Sequence, residues 1–249
     1  MPNLVSESTL AVVRSSIAET GYVPNLAASN LASNRSMTVA ALVPAVSYSV
    51  FAETIHGLDA VLSAKGYHLF IGSTDYDSAR EEELIRAFLG RRPDGIIVVG
   101  TEHTPAARAM LAGAKVPVVE TWSWTDEPID SLVGFSNREA ITAVVDYVHS
   151  RGYQHPTFAG WLTGSDSRAL DRRLAFEQRM GELYPGETIR VVDSGADGIS
   201  IEAGRSLLDR ALRDHPETDV LLCASDIFAT GALLEAQARG ISAPDPPAI

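Results

Sequence analysis

Gly21 to Pro44 reads GYVPNLAASNLASNRSMTVAALVP. Its second half is an apolar run, Val39–Val43, closed by a proline, and it reads as a buried parallel strand. Its first half is polar and small-residued. Pro24 suits a helix start, and residues 25–33 hold no further proline or glycine. Ala28, Leu31 and Ala32 would share one face of such a helix, but that face is too small to anchor it in a core. It reads as a segment that orders only when something docks on it. On spacing alone, a plain linker helix is the simpler interpretation.

Downstream, strands and helices alternate. Strands are expected at Val39–Val43, His68–Gly72, Gly95–Val99, Val118–Glu120 and Leu132–Phe135, then at Thr157–Trp161, Ile189–Val192 and Val220–Cys223. Between them, sets such as Phe51, Ile55, Leu58 and Leu62 recur at a helical period. Repeated βαβ units imply a largely parallel sheet covered by helices, with ligands at the carboxyl ends of the strands. A domain change is expected near Gly134–Arg138, where a strand ends and a helix begins at Asn137. Upstream, residues 6–20 read as a helix capped by Ser6 and stopped by Gly21. Its stripe of Leu10, Val13 and Ile17 needs a partner. At the far end, Ala248 and Ile249 look like the opening of another strand.

With 249 residues and 45% apolar content, the chain can bury the core of one large α/β domain or two lobes. A net charge of −12 argues against a nucleic-acid surface spread over the whole chain, though not against a small local contact. The single cysteine, Cys223, excludes an internal disulfide framework and fits a reducing compartment. No apolar run approaches the ~20 residues of a membrane span. The N-terminus lacks a basic region followed by an apolar one. A cytoplasmic protein is expected.

Enzyme signatures are absent: there is no G-x-S-x-G, no G-x-x-x-x-G-K-[ST] and no G-x-G-x-x-G. No histidine pair has zinc-site spacing near a cysteine, so neither a metal nor a cofactor is expected. The acidic run Glu81–Glu83 reads as a solvated helix start. Trp122 and Trp124 follow a strand directly. A tryptophan there can stack on a sugar, or pack in a core or lobe interface, and the second reading suits Trp124 better. In TGSDSRALDRRLAF, Asp166, Arg168, Asp171, Arg172 and Arg173 follow another strand. An arginine fork can hold a carboxylate or vicinal hydroxyls, or can pair within the helix with Asp171. The arginine one turn before Phe176 would point to the same side as that ring. In CASDIFATG, Asp226 reads as a helix cap, and Ser225 stands where it could donate to a ligand.

Many separate blocks fall in the order of one known family. They are VSESTLAVVRSSIAETGYVPN, NLAASNLAS, VFAETIHGLDAVLSAKGYHL, RRPDGIIVVG, VPVVETW, VGFSNREA, SRALDRRLAF and CASDIFATGALLEAQARGISAPD. On these the chain resembles the lactose-repressor-type family of bacterial transcription regulators across essentially its whole length. PVVETW followed by PIDSLVGFSN looks most like the gluconate-utilisation repressors. The resemblance implies an α/β fold with a two-lobed core like that of periplasmic sugar-binding proteins. It assigns residues 1–36 to the third headpiece helix and a hinge helix, 37–136 to an N-terminal lobe and 137–249 to a C-terminal lobe. It implies a homodimer that binds operator DNA and responds to a small sugar or sugar acid such as gluconate. The matching hinge residues are Asn25, Ala28 and Leu31, with Leu31 the minor-groove wedge. The matching effector residues are Phe51, Trp122, Asp166, Arg172 and Ser225.

Three departures stand out. The resemblance implies truncation at both ends, without the helices that read the major groove and without the last strands of the core. The hinge also lacks the family's basic residue near Ser29 or Ala32. The expected function is a ligand-responsive repressor. The alternatives are a sugar-binding module without DNA-binding activity, and an α/β enzyme, for which no nucleophile–base pair stands out.

Overall fold

The computed structural model describes residues 5–23, 35–162, 165–241 and 246–249. Asn25, Ala28 and Leu31 lie outside the described residues. Helix α1 (Glu7–Thr20) begins at Ser6, whose hydroxyl accepts from the Thr9 amide, and ends at Gly21 with φ of +64°. Its stripe of Leu10, Val13 and Ile17 is exposed throughout.

β1 (Thr38–Val43) is the apolar run of the opening stretch, and it is buried from Val39 onward. It pairs in parallel with β2 (His68–Ser73) on one side and β3 (Gly95–Val99) on the other. β4 (Val118–Thr121) and β5 (Ser131–Val133) extend the sheet in the order β2-β1-β3-β4-β5. Parallel neighbours need crossovers. Helices α2 (Ser49–Ser63), α3 (Ser78–Gly90) and α4 (Pro105–Ala112) supply the first three. Leu42, Ile85, Ile96, Val98 and Leu111 meet in one core. Each such side chain contributes about 1.5–3 kcal/mol by leaving water.

The acidic run does lie at the start of a helix, but of its three residues only Glu83 is exposed. α3 begins earlier, at Ser78, with Asp77 capping it. Glu81 Oε1 lies 2.6 Å from His103 Nδ1, and the other ring nitrogen lies 3.5 Å from Oε1 of the fully buried Glu120. Glu120 Oε2 accepts from the Ile129 amide at 2.6 Å. A buried carboxylate in a central strand thus has a hydrogen-bond donor and a neighbouring imidazole.

A second sheet is built from β6 (Pro156–Gly160), β7 (Arg190–Asp193) and β8 (Val220–Cys223) in the order β7-β6-β8. Ala248 bridges to Val220 in parallel. Helices α5 (Asn137–Ser150), α6 (Ser167–Leu183), α7 (Ile201–Asp214) and α8 (Asp226–Ala238) cover it. Phe158 stacks on Phe176 at 5.2 Å in its core. α7 and α8 cross at two glycines. A methyl on Gly204 would strike the Phe228 carbonyl, and one on Gly231 would strike the Ile201 carbonyl. Two strands end earlier than their composition suggests: β5 stops at Val133 and β6 at Gly160, which frees Phe135 and Trp161 from the sheets.

Both sheets reverse direction of travel beside their first strands, β1 and β6. The two switch points open a crevice at the carboxyl ends.

The glycine crossing yields a test. Gly231→Ala forces α7 and α8 apart and costs on the order of 2–3 kcal/mol. Urea unfolding followed by circular dichroism should show the midpoint fall with little change of slope. An unchanged midpoint would mean the helices do not cross this closely.

Candidate ligand-binding cleft

Between the carboxyl ends of the two sheets lies a cavity of about 640 Å³, a size that suits a small organic ligand. Its walls come from the residues that follow the strands. Tyr48 and Phe51 follow β1, Tyr76 follows β2, Trp122 follows β4 and Phe135 follows β5. From the other side, Trp161 follows β6 and Ser225 follows β8. The rings interlock edge to face. Trp122 meets Phe51 at 5.4 Å and Phe135 at 6.0 Å, and Tyr76 meets Trp161 at 5.5 Å. Trp122 Nε1 donates to Thr54 Oγ1 at 3.2 Å. The Trp122 backbone sits at φ +67°, a left-handed conformation unfavourable for a bulky side chain.

The polar groups converge from α5, α6 and the β8–α8 turn. Asp166 precedes α6, and its Oδ1 accepts from the Arg168 amide and from Arg168 Nε at 3.1 Å. The Arg168 guanidinium also lies over the Phe51 and Tyr76 rings, 5.5 and 5.7 Å from their centroids. Arg172 NH1 donates to Asn137 Oδ1 at 2.5 Å, while its NH2 lies 3.9 Å from Asp166 Oδ2. Arg172 Nε and Ser225 Oγ are buried and have no hydrogen-bond partner among the described residues. Burial lowers the Arg172 guanidinium below its ordinary value, against the pull of Asp166. Burial, followed by Asp166, pushes the Tyr76 hydroxyl well above 10, so it remains a neutral donor. Burial pushes the Cys223 thiol up to about 12, so it is inert at neutral pH. Glu53 and Asp226 line the cavity but stand exposed. Among the described residues, the buried or mostly buried charges in its lining are therefore the Asp166 carboxylate and the Arg168 and Arg172 guanidiniums.

A family model described as periplasmic binding proteins and the sugar-binding domain of the LacI family matches residues 36–246. The chain belongs to the LacI family. The HTH-type transcriptional regulator GntR of Escherichia coli K12 is 31% identical over 250 residues, which cover all of this chain and 73% of that protein. GntR of Pseudomonas aeruginosa is 34% identical over 244 residues, covering 97% of this chain and 69% of that one. A LacI-family regulator of known structure from Silicibacter pomeroyi superposes with a TM-score of 0.89 at 36% identity, covering 97% of this chain and 72% of that one. These relatives are named as transcriptional regulators, so the family is not one of enzymes. LacI-family regulators bind small-molecule effectors and operator DNA. Among the described residues, no helix is long and apolar enough to cross a membrane.

In this LacI-family chain, Phe51, Trp122, Asp166, Arg172 and Ser225 all line one cavity. Four details differ from what the residues suggested. Ser225, not Asp226, occupies the cap of α8, with no side-chain capping bond. Trp124 is exposed rather than packed in a core or interface. Arg172 bonds Asn137 rather than Asp171. Phe176, one turn on, is buried in the core against Phe158 while Arg172 faces the cavity. Tyr48, Tyr76, Asn137, Trp161 and Arg168 also line the cavity and were not singled out as site residues. For Tyr76 and Trp161 the signal was an aromatic just past a strand's carboxyl end, the same signal that marked Trp122.

Asp166 is a buried carboxylate facing two cations, Arg168 and Arg172. Asp166→Ala leaves both guanidiniums without it, and loss of one partner from a buried pair costs about 3 kcal/mol. The melting temperature measured by calorimetry should fall clearly. A melting temperature equal to that of the unaltered protein would mean that the carboxylate is dispensable.

Proposed function

We propose that this chain is a ligand-responsive transcriptional repressor whose effector is a sugar acid such as gluconate. The observation that carries this reading is Arg172. Its guanidinium lies mostly buried in an aromatic-walled cavity, and its Nε has no partner among the described residues. A carboxylate satisfies such a group with charge-assisted hydrogen bonds. The rings of Trp122 and Phe51 suit the carbon chain, and the Ser225 hydroxyl suits a sugar hydroxyl. The likeness to proteins named GntR points the same way.

In this reading residues 37–136 and 137–249 are the two lobes of the effector core. Residues 1–36 are the DNA-facing part, with Asn25, Ala28 and Leu31 as its minor-groove residues. The protein acts in the cytoplasm as a homodimer. Effector closes the lobes on each other, and linkage lowers the affinity of the dimer for its operator.

Isothermal calorimetry with gluconate and glucose tests the effector class. Gluconate should bind at least tenfold more tightly than glucose. Arg172→Gln should weaken gluconate by about tenfold to a hundredfold, the worth of a hydrogen bond to a charged group, and change glucose little. Tighter binding of glucose would overturn the sugar-acid assignment.

A further inference from the structure

Asn137 is almost fully buried, yet both ends of its amide are engaged. Its Oδ1 accepts from Arg172 NH1 on α6, and its Nδ2 donates to the carbonyl of Trp122 at 3.1 Å. A side-chain amide is planar, so its two ends turn together. Asn137 opens α5, immediately after the chain leaves the first sheet for the second. It therefore ties a cleft cation carried by one sheet's helices to the backbone at the end of β4 in the other sheet.

The group at the far end is under strain. Trp122 holds φ of +67°, a left-handed conformation that persists in a bulky residue only where its surroundings impose it. Two contacts do so. The Asn137 amide holds the Trp122 carbonyl, and Gly134 lies so close to the Ser123 carbonyl that no side chain would fit there. The Trp122 ring reaches further, to Phe51 and Thr54 on α2. Movement of the Arg172 guanidinium thus has a direct physical route to α2: through one amide to a strained backbone, and through that residue's ring to the helix.

We propose that Asn137 is a positioning residue that couples Arg172 to the backbone conformation of Trp122, and so transmits occupancy of the cleft from one lobe to the other. The transmitted signal rests on the effector reading above, while the coupling itself exists in the unliganded protein. When a ligand draws the Arg172 guanidinium toward itself, the Asn137 amide follows, and its hold on the Trp122 carbonyl changes. A contact chain alone does not establish coupling, so the test is a cycle of variants.

Hydrogen exchange read by mass spectrometry on peptides covering residues 118–126 measures the Trp122 backbone directly. It is compared in the unaltered chain, Arg172→Gln, Asn137→Ala and the double variant, without ligand. Arg172→Gln should raise exchange in 118–126 at least threefold although residue 172 lies on the other lobe. In the Asn137→Ala background it should add nothing. Equal exchange in the unaltered chain and Arg172→Gln would overturn the coupling, as would effects of the two variants that simply add. Circular dichroism melts confirm that each variant is folded. If Asn137→Ala does not fold, Asn137→Asp replaces it, since it keeps an acceptor for Arg172 but removes the donor to Trp122. A second set is recorded at gluconate concentrations that calorimetry shows to be saturating for each protein. Gluconate should alter exchange at 118–126 in the unaltered chain and not in Asn137→Ala. An equal response in both would also overturn the coupling. Absence of any binding heat with the unaltered chain would defeat the effector reading alone and leave the coupling to be judged by the ligand-free cycle.

Discussion

Charge taken out of water must be answered, and that constraint organises the cleft of this LacI-family chain. Asp166 sits before α6 and pairs with Arg168, whose guanidinium is then sandwiched against Phe51 and Tyr76. That arrangement uses most of the carboxylate. Arg172, one turn further along the helix, receives only a distant share of it and a neutral amide from Asn137. The cavity is left with more buried positive than negative charge. Neutral donors such as Tyr76 do not alter that balance. That balance of buried charge is the ground on which an anionic effector is proposed.

The placement of these groups follows from chain direction. In parallel α/β sheets, every strand delivers the residue after it to the same edge. Seven such residues meet here from two sheets, and most are aromatic. Rings suit the position because they cover apolar area with few rotatable bonds and seal the cavity edge to face. The cost is local: Trp122 is forced into a left-handed backbone conformation. The two segments that crowd it, Gly134 and Asn137, belong to the same stretch that carries the chain from one sheet to the other. Strain, crossing and cation are therefore neighbours.

Rigid elements behind the cleft keep this geometry. Over the second sheet, α7 and α8 approach to backbone contact at Gly204 and Gly231, which leaves no side chain between them to repack. In the first, Glu120 lies on β4 two residues before Trp122, held by the Ile129 amide and facing His103. Such a buried carboxylate contributes little net stability when paired, but it fixes where its strand sits against α3 and the segment after β3.

Much of the architecture was legible along the chain. Apolar runs such as Val39–Val43 and Gly95–Val99, separated by helical stripes, have essentially one solution, a helix-covered parallel sheet, because burial on both faces demands it. The same logic marked Trp122 and Ser225 as strand-end residues, while Phe51, read locally as part of a helical stripe, was marked only by the family resemblance. What the linear order could not contain was which distant groups would meet. Nothing local pairs Arg172 with Asn137, thirty-five positions away, rather than with Asp171 beside it. Nothing local turns Glu81 toward His103 rather than toward water, or exposes Trp124 while leaving Trp122 half-buried in the cavity wall. Secondary structure and sheet type follow from short-range pattern and the hydrophobic effect, so the sequence by itself determined them. The partners of each charge, and the strain at Trp122, depend on two sheets closing around one cavity, and only the tertiary structure decided those.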